Sequence, residues 1–85
     1  MNLGKTSSIP PKLIILLKLS KQSMRASDLM KETGLSESTF FYNLARLQAE
    51  GLIRKANGWY EITDKGRLYL EKILKDLKSL LEVVN

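Results

Sequence analysis

Cysteine and histidine are both missing from this chain. Without cysteine no disulfide can staple the fold, and without His–Cys clusters no structural metal can hold it. The absence of thiols fits a reducing cytoplasm. It also removes the usual nucleophile and the usual general base, and no phosphate-cradling glycine loop or paired-carboxylate motif stands in for them. An enzyme is not expected, and no cofactor, metal or small-molecule effector is evident. Long hydrophobic runs are lacking too. The longest, residues 13–17, is far short of a membrane span, and residues 1–8 lack the charged-then-apolar order of a signal peptide. A soluble cytoplasmic protein with no membrane partner is expected. Internal repeats and low-complexity segments are also absent.

What is present is a small, basic domain. Fourteen Lys and Arg against nine Asp and Glu give a net charge of +5 over 85 residues. On so small a body this is a bias toward polyanions, although solubility alone accounts for charges of this size in many domains. A chain of this length buries only about 60–65% of its unfolded surface. Tight helical packing or oligomerisation must supply the rest of its stability.

The strongest pattern lies in residues 36–51. Ser36 precedes a run of helical periodicity, where its hydroxyl can cap the first free backbone N–H groups. Phe40, Leu44 and Leu47 recur at helical spacing and share one face. The opposite face carries Ser38, Thr39, Tyr42, Ala45, Arg46 and Ala49, with no bulky aliphatic among them. Gly51 closes the helix from a left-handed position. Ahead of it, residues 27–33 read as a shorter helix capped by Ser27, with Asp28 complementing its dipole and Leu29 and Met30 facing inward. Gly34-Leu35 joins the two. A helix, a tight glycine turn and a capped second helix with a polar outer face form the helix-turn-helix pattern.

Upstream, Pro10-Pro11 marks the start of a first helix whose Leu13, Ile14, Ile15, Leu16, Leu17 and Leu19 cover nearly its whole circumference. Such a helix must be covered on more than one side. Met24-Arg25-Ala26 can add a short strand. After Gly51 the period becomes two. Residues 52–55 and 59–62 flank Ala56-Asn57-Gly58, and Asn-Gly between such runs is a strong hairpin signal. A two-residue turn puts Ile53 opposite Ile62, Arg54 opposite Glu61 and Lys55 opposite Tyr60, with Tyr60 and Ile62 as the inward anchors. Trp59, beside the wing turn, is placed to stack on single-stranded bases. Packing under the hairpin or against the first helix is nonetheless the favoured expectation, and Phe41 is expected to lie at the edge of the core. Thr63 then caps a terminal helix with a stripe of Leu70, Ile73, Leu74, Leu77, Leu80, Leu81 and Val84. Outside the stripe, Glu71 with Lys75, Lys72 with Asp76 and Lys78 with Glu82 are spaced as i,i+4 pairs. The expected fold class is mainly α with a small β-hairpin: a flexible N-terminal arm over residues 1–8, a DNA-binding domain over 9–63, and a C-terminal dimerisation helix over 64–85.

With these elements in order, the chain resembles winged helix-turn-helix transcriptional regulators of the multiple-antibiotic and arsenic-resistance repressor type, in the small single-domain archaeal or bacterial form. The likeness rests on residues 27–40, with Gly34-Leu35-Ser36 at the turn, on residues 44–53 and on residues 60–66. It implies that the third helix enters a major groove, where Ser38, Thr39, Tyr42, Asn43 and Arg46 contact bases and phosphates. It places the wing residues Lys55, Ala56, Asn57 and Gly58 along the minor groove or backbone. It also turns the helix N-termini at Ser27 and Ser36 toward phosphates. The sequence departs from that type at Glu37, an acid beside the groove, at the bulky Phe41 and Tyr42, and at a short wing whose tip carries no arginine.

Arg46 can read guanine through two hydrogen bonds, the commonest specific contact, or can hold a phosphate. Arg54, Lys55 and Lys12 offer further phosphate contacts. The terminal stripe is expected to cover the first helix near its start and pair with a second copy farther out. The functional expectation is a homodimer that binds double-stranded DNA sequence-specifically, associated with the nucleoid. The alternative is a winged-helix module that docks a protein or coats DNA without choosing sequence. A protein-docking face would expose aliphatic residues, and the polar face of residues 38–46 argues against it.

Overall fold

Pro10-Pro11 opens α1 (Pro11–Lys21) because proline at the first helical position gives up an N–H that has no partner there. The chain continues through β1 (Met24–Arg25), α2 (Ala26–Thr33), α3 (Glu37–Ala49), β2 (Ile53–Ala56), β3 (Trp59–Ile62) and α4 (Asp64–Val84). This computed structural model describes residues 9–84; the expected N-terminal arm lies outside the described residues.

The helix-turn-helix is built as its sequence pattern dictates, with one correction. Ser27 does not cap α2: the helix begins at Ala26, its cap position is Arg25 in extended conformation, and no side chain caps it. Arg25 is held extended by its pairing with β3, so the backbone passes from strand into helix one residue early. At the other end Gly34 adopts φ +69° and its N–H donates to the Met30 carbonyl at 3.1 Å. A left-handed residue here ends α2 and turns the chain toward Ser36. The Thr39 N–H then donates to the Ser36 hydroxyl at 3.4 Å, capping α3. At the far end the Leu52 N–H reaches the Leu47 carbonyl and the Gly51 N–H the Gln48 carbonyl, each at 3.0 Å. That pair of bonds is a Schellman closure.

The hairpin register is the one that the Asn-Gly turn requires, with Ile53 opposite Ile62, Arg54 opposite Glu61 and Lys55 opposite Tyr60. Asn57 at φ +53° and Gly58 at φ +82° give the two positive-φ positions of a tight primed turn. β1 pairs on the other side of β3, making a three-stranded antiparallel sheet in the order β1-β3-β2. This third strand gives the hairpin the support that two strands alone lack.

At the centre, α1 packs against α2, α3, β3 and α4, which explains its nearly all-round apolar surface. Ile15, Leu16 and Leu19 are buried together with Leu29 of α2 and Phe40, Leu44 and Leu47 of α3. Tyr60 and Ile62 enter the same core from the sheet. No polar or charged side chain is buried among the described residues.

Thr63 fastens α4 to the end of α3. Its hydroxyl donates to the Gly51 carbonyl at 2.7 Å and accepts from the Gly66 N–H at 3.0 Å, while its N–H donates to the Leu52 carbonyl. Leu70 is the last residue of α4 in the core, and Ile73 is half-buried. Leu74, Leu77, Leu80 and Leu81 are exposed, between 44% and 66%. The helical backbone runs to Val84, whose side chain lies outside the described residues. Of the spaced charge pairs on this helix, Lys72–Asp76 is in contact at 3.7 Å. The architecture is a winged helix-turn-helix with a long C-terminal helix.

Candidate nucleic-acid interface

Burying Phe40, Leu44 and Leu47 turns Ser38, Tyr42, Ala45, Arg46 and Ala49 outward from α3, all exposed. Ser36 and Glu37 are exposed at the start of the helix. Thr39 and Asn43 are half-buried at the margin, and the Asn43 amide donates to the Thr39 carbonyl at 2.8 Å. That bond uses the Asn43 donor within its own helix. Phe41 is 45% exposed, farther out than a core-edge position, and meets the Phe40 ring edge-on at 5.0 Å between centroids.

Arg46 is not a free guanidinium. Its Nη1 donates to the Tyr42 hydroxyl at 3.0 Å, and its Nη2 lies 3.5 Å from the Glu50 carboxylate. The same carboxylate accepts from Lys12 of α1 at 3.0 Å. Glu50 therefore bridges two cations from two helices. The Lys12 hydrogen bond, with Arg46 adding to it, holds the Glu50 carboxyl below the usual carboxylate range, and Glu50 raises the Lys12 ammonium in return. Lys12, expected from sequence as a phosphate contact, is already engaged by this acid. The two residues lie 38 positions apart, and no local pattern pairs them.

Arg54 is engaged in the same way, across the hairpin with Glu61. Lys55 lies over the Tyr60 ring, 5.5 Å from its centre. Asn57 and Gly58 form the exposed tip. Trp59 does not pack under the hairpin or against α1: it is 42% exposed. Strand alternation is the reason. Tyr60 and Ile62 take the inner face, so Trp59 and Glu61 take the outer one. Arg25, directly opposite Trp59 in the register, stacks its guanidinium over the indole at 4.8 Å. Its Nη1 is also the nearest atom to where a side chain on Gly58 would begin, at 3.5 Å. Neither Arg25 nor Lys55 belongs to an ion pair among the described residues.

Glu50, Arg25 and Trp59 thus join the surface that sequence reasoning outlined. The Arg25–Trp59 contact follows from extending the hairpin register to β1. The i,i+4 spacing of Arg46 and Glu50 is a local signal for their contact, whereas the pairing of Glu50 with Lys12 has no local signal. Among the described residues no group of three Asp, Glu, His or Cys side chains gathers to hold a metal, and no helix is long and apolar enough to cross a membrane.

Residues 5–84 match the family described as the HVO_A0261 N-terminal domain. No curated protein matches the chain. Among solved structures, a PadR family transcription regulator from Clostridium difficile R20291 is similar at a TM-score of 0.76 and 21% identity, over 88% of this chain and 94% of that one. A transcriptional regulator from Clostridium thermocellum is similar at 0.79 and 20% identity, over 100% and 96%. BpsR of Bordetella bronchiseptica, whose DNA binding is regulated by 6-hydroxynicotinic acid, is similar at 0.75 and 18% identity, over 93% of this chain and 62% of that one. At such identities the likeness is one of fold.

Proposed function

We propose, for a chain that belongs to the family described as the HVO_A0261 N-terminal domain, sequence-specific binding of double-stranded DNA as a homodimeric transcriptional regulator. The observation that carries this reading is the outward face of α3. Three buried residues fix the rotation of the helix, and what they present is Ser38, Tyr42 and Arg46, flanked by Thr39 and Asn43. A helix of these dimensions fits a major groove, and hydroxyl, amide and guanidinium groups are the chemistry that reads base edges there.

In this reading Ser36 and the free N–H groups behind it meet a phosphate, as helix N-termini do. Arg54, Lys55, Asn57 and Gly58 of the wing lie on the backbone or in the minor groove. Arg46 reaches a base by exchanging Glu50 for the nucleic acid, and Lys12 is released to a phosphate by the same exchange. The Gly34-Leu35-Ser36 turn and the Thr63-Asp64-Lys65-Gly66 run favour the multiple-antibiotic and arsenic-resistance subtype. The solved neighbours are described as transcription regulators, which supports a regulatory role over a coat. A second reading, a protein-docking module, is favoured by the exposure of Phe41 at 45%.

Selection of bound duplexes from a random pool, with a salt titration beside it, tests the proposal. Enrichment of an inverted repeat is the expected result. Binding without enrichment assigns a coat, and no binding assigns a docking module.

A further inference from the structure

The wing has no arginine at its tip, yet an arginine stands beside it. Arg25 reaches the tip from β1, a strand that precedes the whole helix-turn-helix in sequence. Three observations place it there. The register sets Arg25 directly across from Trp59. The guanidinium lies 4.8 Å above the indole. Its Nη1 sits 3.5 Å from the point where a Gly58 side chain would begin, so the guanidinium lies against the tip of the wing.

The charge of Arg25 is also uncommitted. Lys12, Lys18, Arg46, Arg54 and Lys72 are each paired with a carboxylate. Lys65 and Arg67 donate to the backbone carbonyls of Glu50 and Ser20. Arg25 is held by an aromatic face alone. Stacking orients a guanidinium without using its N–H donors, which stay directed into solvent. Asp28 is the nearest acid along the chain, three residues on in α2, and it forms no ion pair with Arg25 among the described residues. Arg25 occupies the cap position of α2, but its side chain makes no cap bond, so no structural bond of the helix depends on it.

We propose that Arg25 adds a DNA-backbone contact to the wing, a phosphate clamp supplied from β1, with Trp59 as the residue that positions it. The inference rests on the reading of the chain as a DNA-binding protein. It adds to the wing contacts proposed for residues 54–58 a residue from outside the hairpin. A planar guanidinium with free donors on two edges suits a phosphate, which accepts two parallel hydrogen bonds. Stacking fixes its direction beforehand, so less rotamer freedom is lost when the contact forms.

The test measures binding of an end-labelled, roughly thirty-base-pair duplex by fluorescence anisotropy across a salt series. Arg25→Ala should weaken binding and lower the slope of log affinity against log salt by about 0.9, one phosphate contact. Arg25→Lys should restore the slope, since the charge returns, while binding stays weaker than wild type. Trp59→Leu should cost about two- to five-fold in affinity with the slope unchanged, because it removes the platform and keeps the charge. Lys75→Ala, the same change in charge on exposed α4, should leave the slope as it was. Thermal unfolding of Arg25→Ala at the wild-type midpoint confirms an intact fold, and Arg25→Lys carries the comparison if that variant is destabilised. A wild type that binds duplex with an Arg25→Ala variant indistinguishable from it overturns the clamp alone. An equal loss of slope in Lys75→Ala also overturns it, since any lost charge would then do. A wild type that binds no duplex overturns the clamp and the DNA-binding reading together.

Discussion

Gly66 shows how a single residue can set the distance between two elements. A Cβ built there would come within 2.1 Å of the Leu52 carbonyl oxygen and 2.7 Å of an Ile62 side-chain carbon. The first obstacle is backbone and cannot rotate away, so α4 must shift off the sheet to admit a methyl group. Gly66→Ala should therefore destabilise by about 1–3 kcal/mol or more, the usual cost of overpacking, read as a lower urea midpoint. A variant as stable as wild type would mean that α4 docks with slack. Glu50 carries a different kind of constraint. Its folded pKa is depressed by Lys12 and then Arg46, so its contribution to stability is present above the ordinary carboxylate pKa and is lost as pH falls through the folded value. Lys12 shifts upward, so its contribution is present below its ordinary pKa and fades only as pH rises through the folded one. Between those limits stability should be flat. Glu50→Gln should remove the acid-side loss in a pH series of unfolding midpoints. It should also tighten duplex binding and raise the salt slope by up to about 1.8, since two cations become free for phosphates. Weaker binding by Glu50→Gln would show that the acid positions Arg46 for the groove rather than competing with it.

Elements whose geometry is local were legible in the sequence, and those decided by distant contacts were not. The hairpin register follows from Asn57-Gly58 alone, because both residues must take positive φ and the pairs then count outward. The rotation of α3 follows from Phe40, Leu44 and Leu47, and its ends from Ser36 and Gly51. The start of α2 was misplaced at Ser27 because a good capping residue was present, while β1 pairing carried the helix start one residue earlier. Trp59 was misplaced because a large aromatic suggests burial, whereas strand alternation with Tyr60 and Ile62 decides its side. Lys12 looked free because its acidic partner lies 38 residues away on another element, whereas the Arg54–Glu61 pair follows from the hairpin register. For α3 the decisive measurement compares specific with random duplex at one salt concentration. Arg46→Ala should weaken specific binding more, since losing a two-bond base contact costs about 1–3 kcal/mol of discrimination. An equal loss on both duplexes would make Arg46 a phosphate clamp. No loss on either would take α3 out of the groove.

At the scale of the whole molecule, the unspent feature is apolar surface on α4. Its stripe is in the core at Leu70 and half-buried at Ile73, so the proximal turns cover α1 as the sequence suggested. Leu74, Leu77, Leu80 and Leu81 continue the stripe with exposures from 44% to 66%. A groove beside α1, lined by Ile9, Ile14 and Leu17, is left open as well. Four leucines on one helical face, in a domain whose core is small, amount to a surface that water disfavours. Pairing with the same helix of a second copy is the arrangement that covers such a stripe symmetrically, and two-fold symmetry would present the two α3 faces to half-sites about one helical turn apart or a multiple of it. Each leucine buried is worth roughly 1.5–3 kcal/mol, enough for a few of them to offset the cost of association. The chain should therefore sediment as a dimer at tens of micromolar, with a thermal midpoint that rises with concentration. Leu77→Glu should shift it to a monomer, weaken binding to an inverted repeat, and leave binding to a single half-site closer to wild type. Leu74→Ala and Leu81→Ala, milder changes on the same stripe, should weaken the dimer by smaller steps if the charged variant fails to fold. A wild type that remains monomeric at that concentration would leave α4 without its partner and the two half-sites without their spacing.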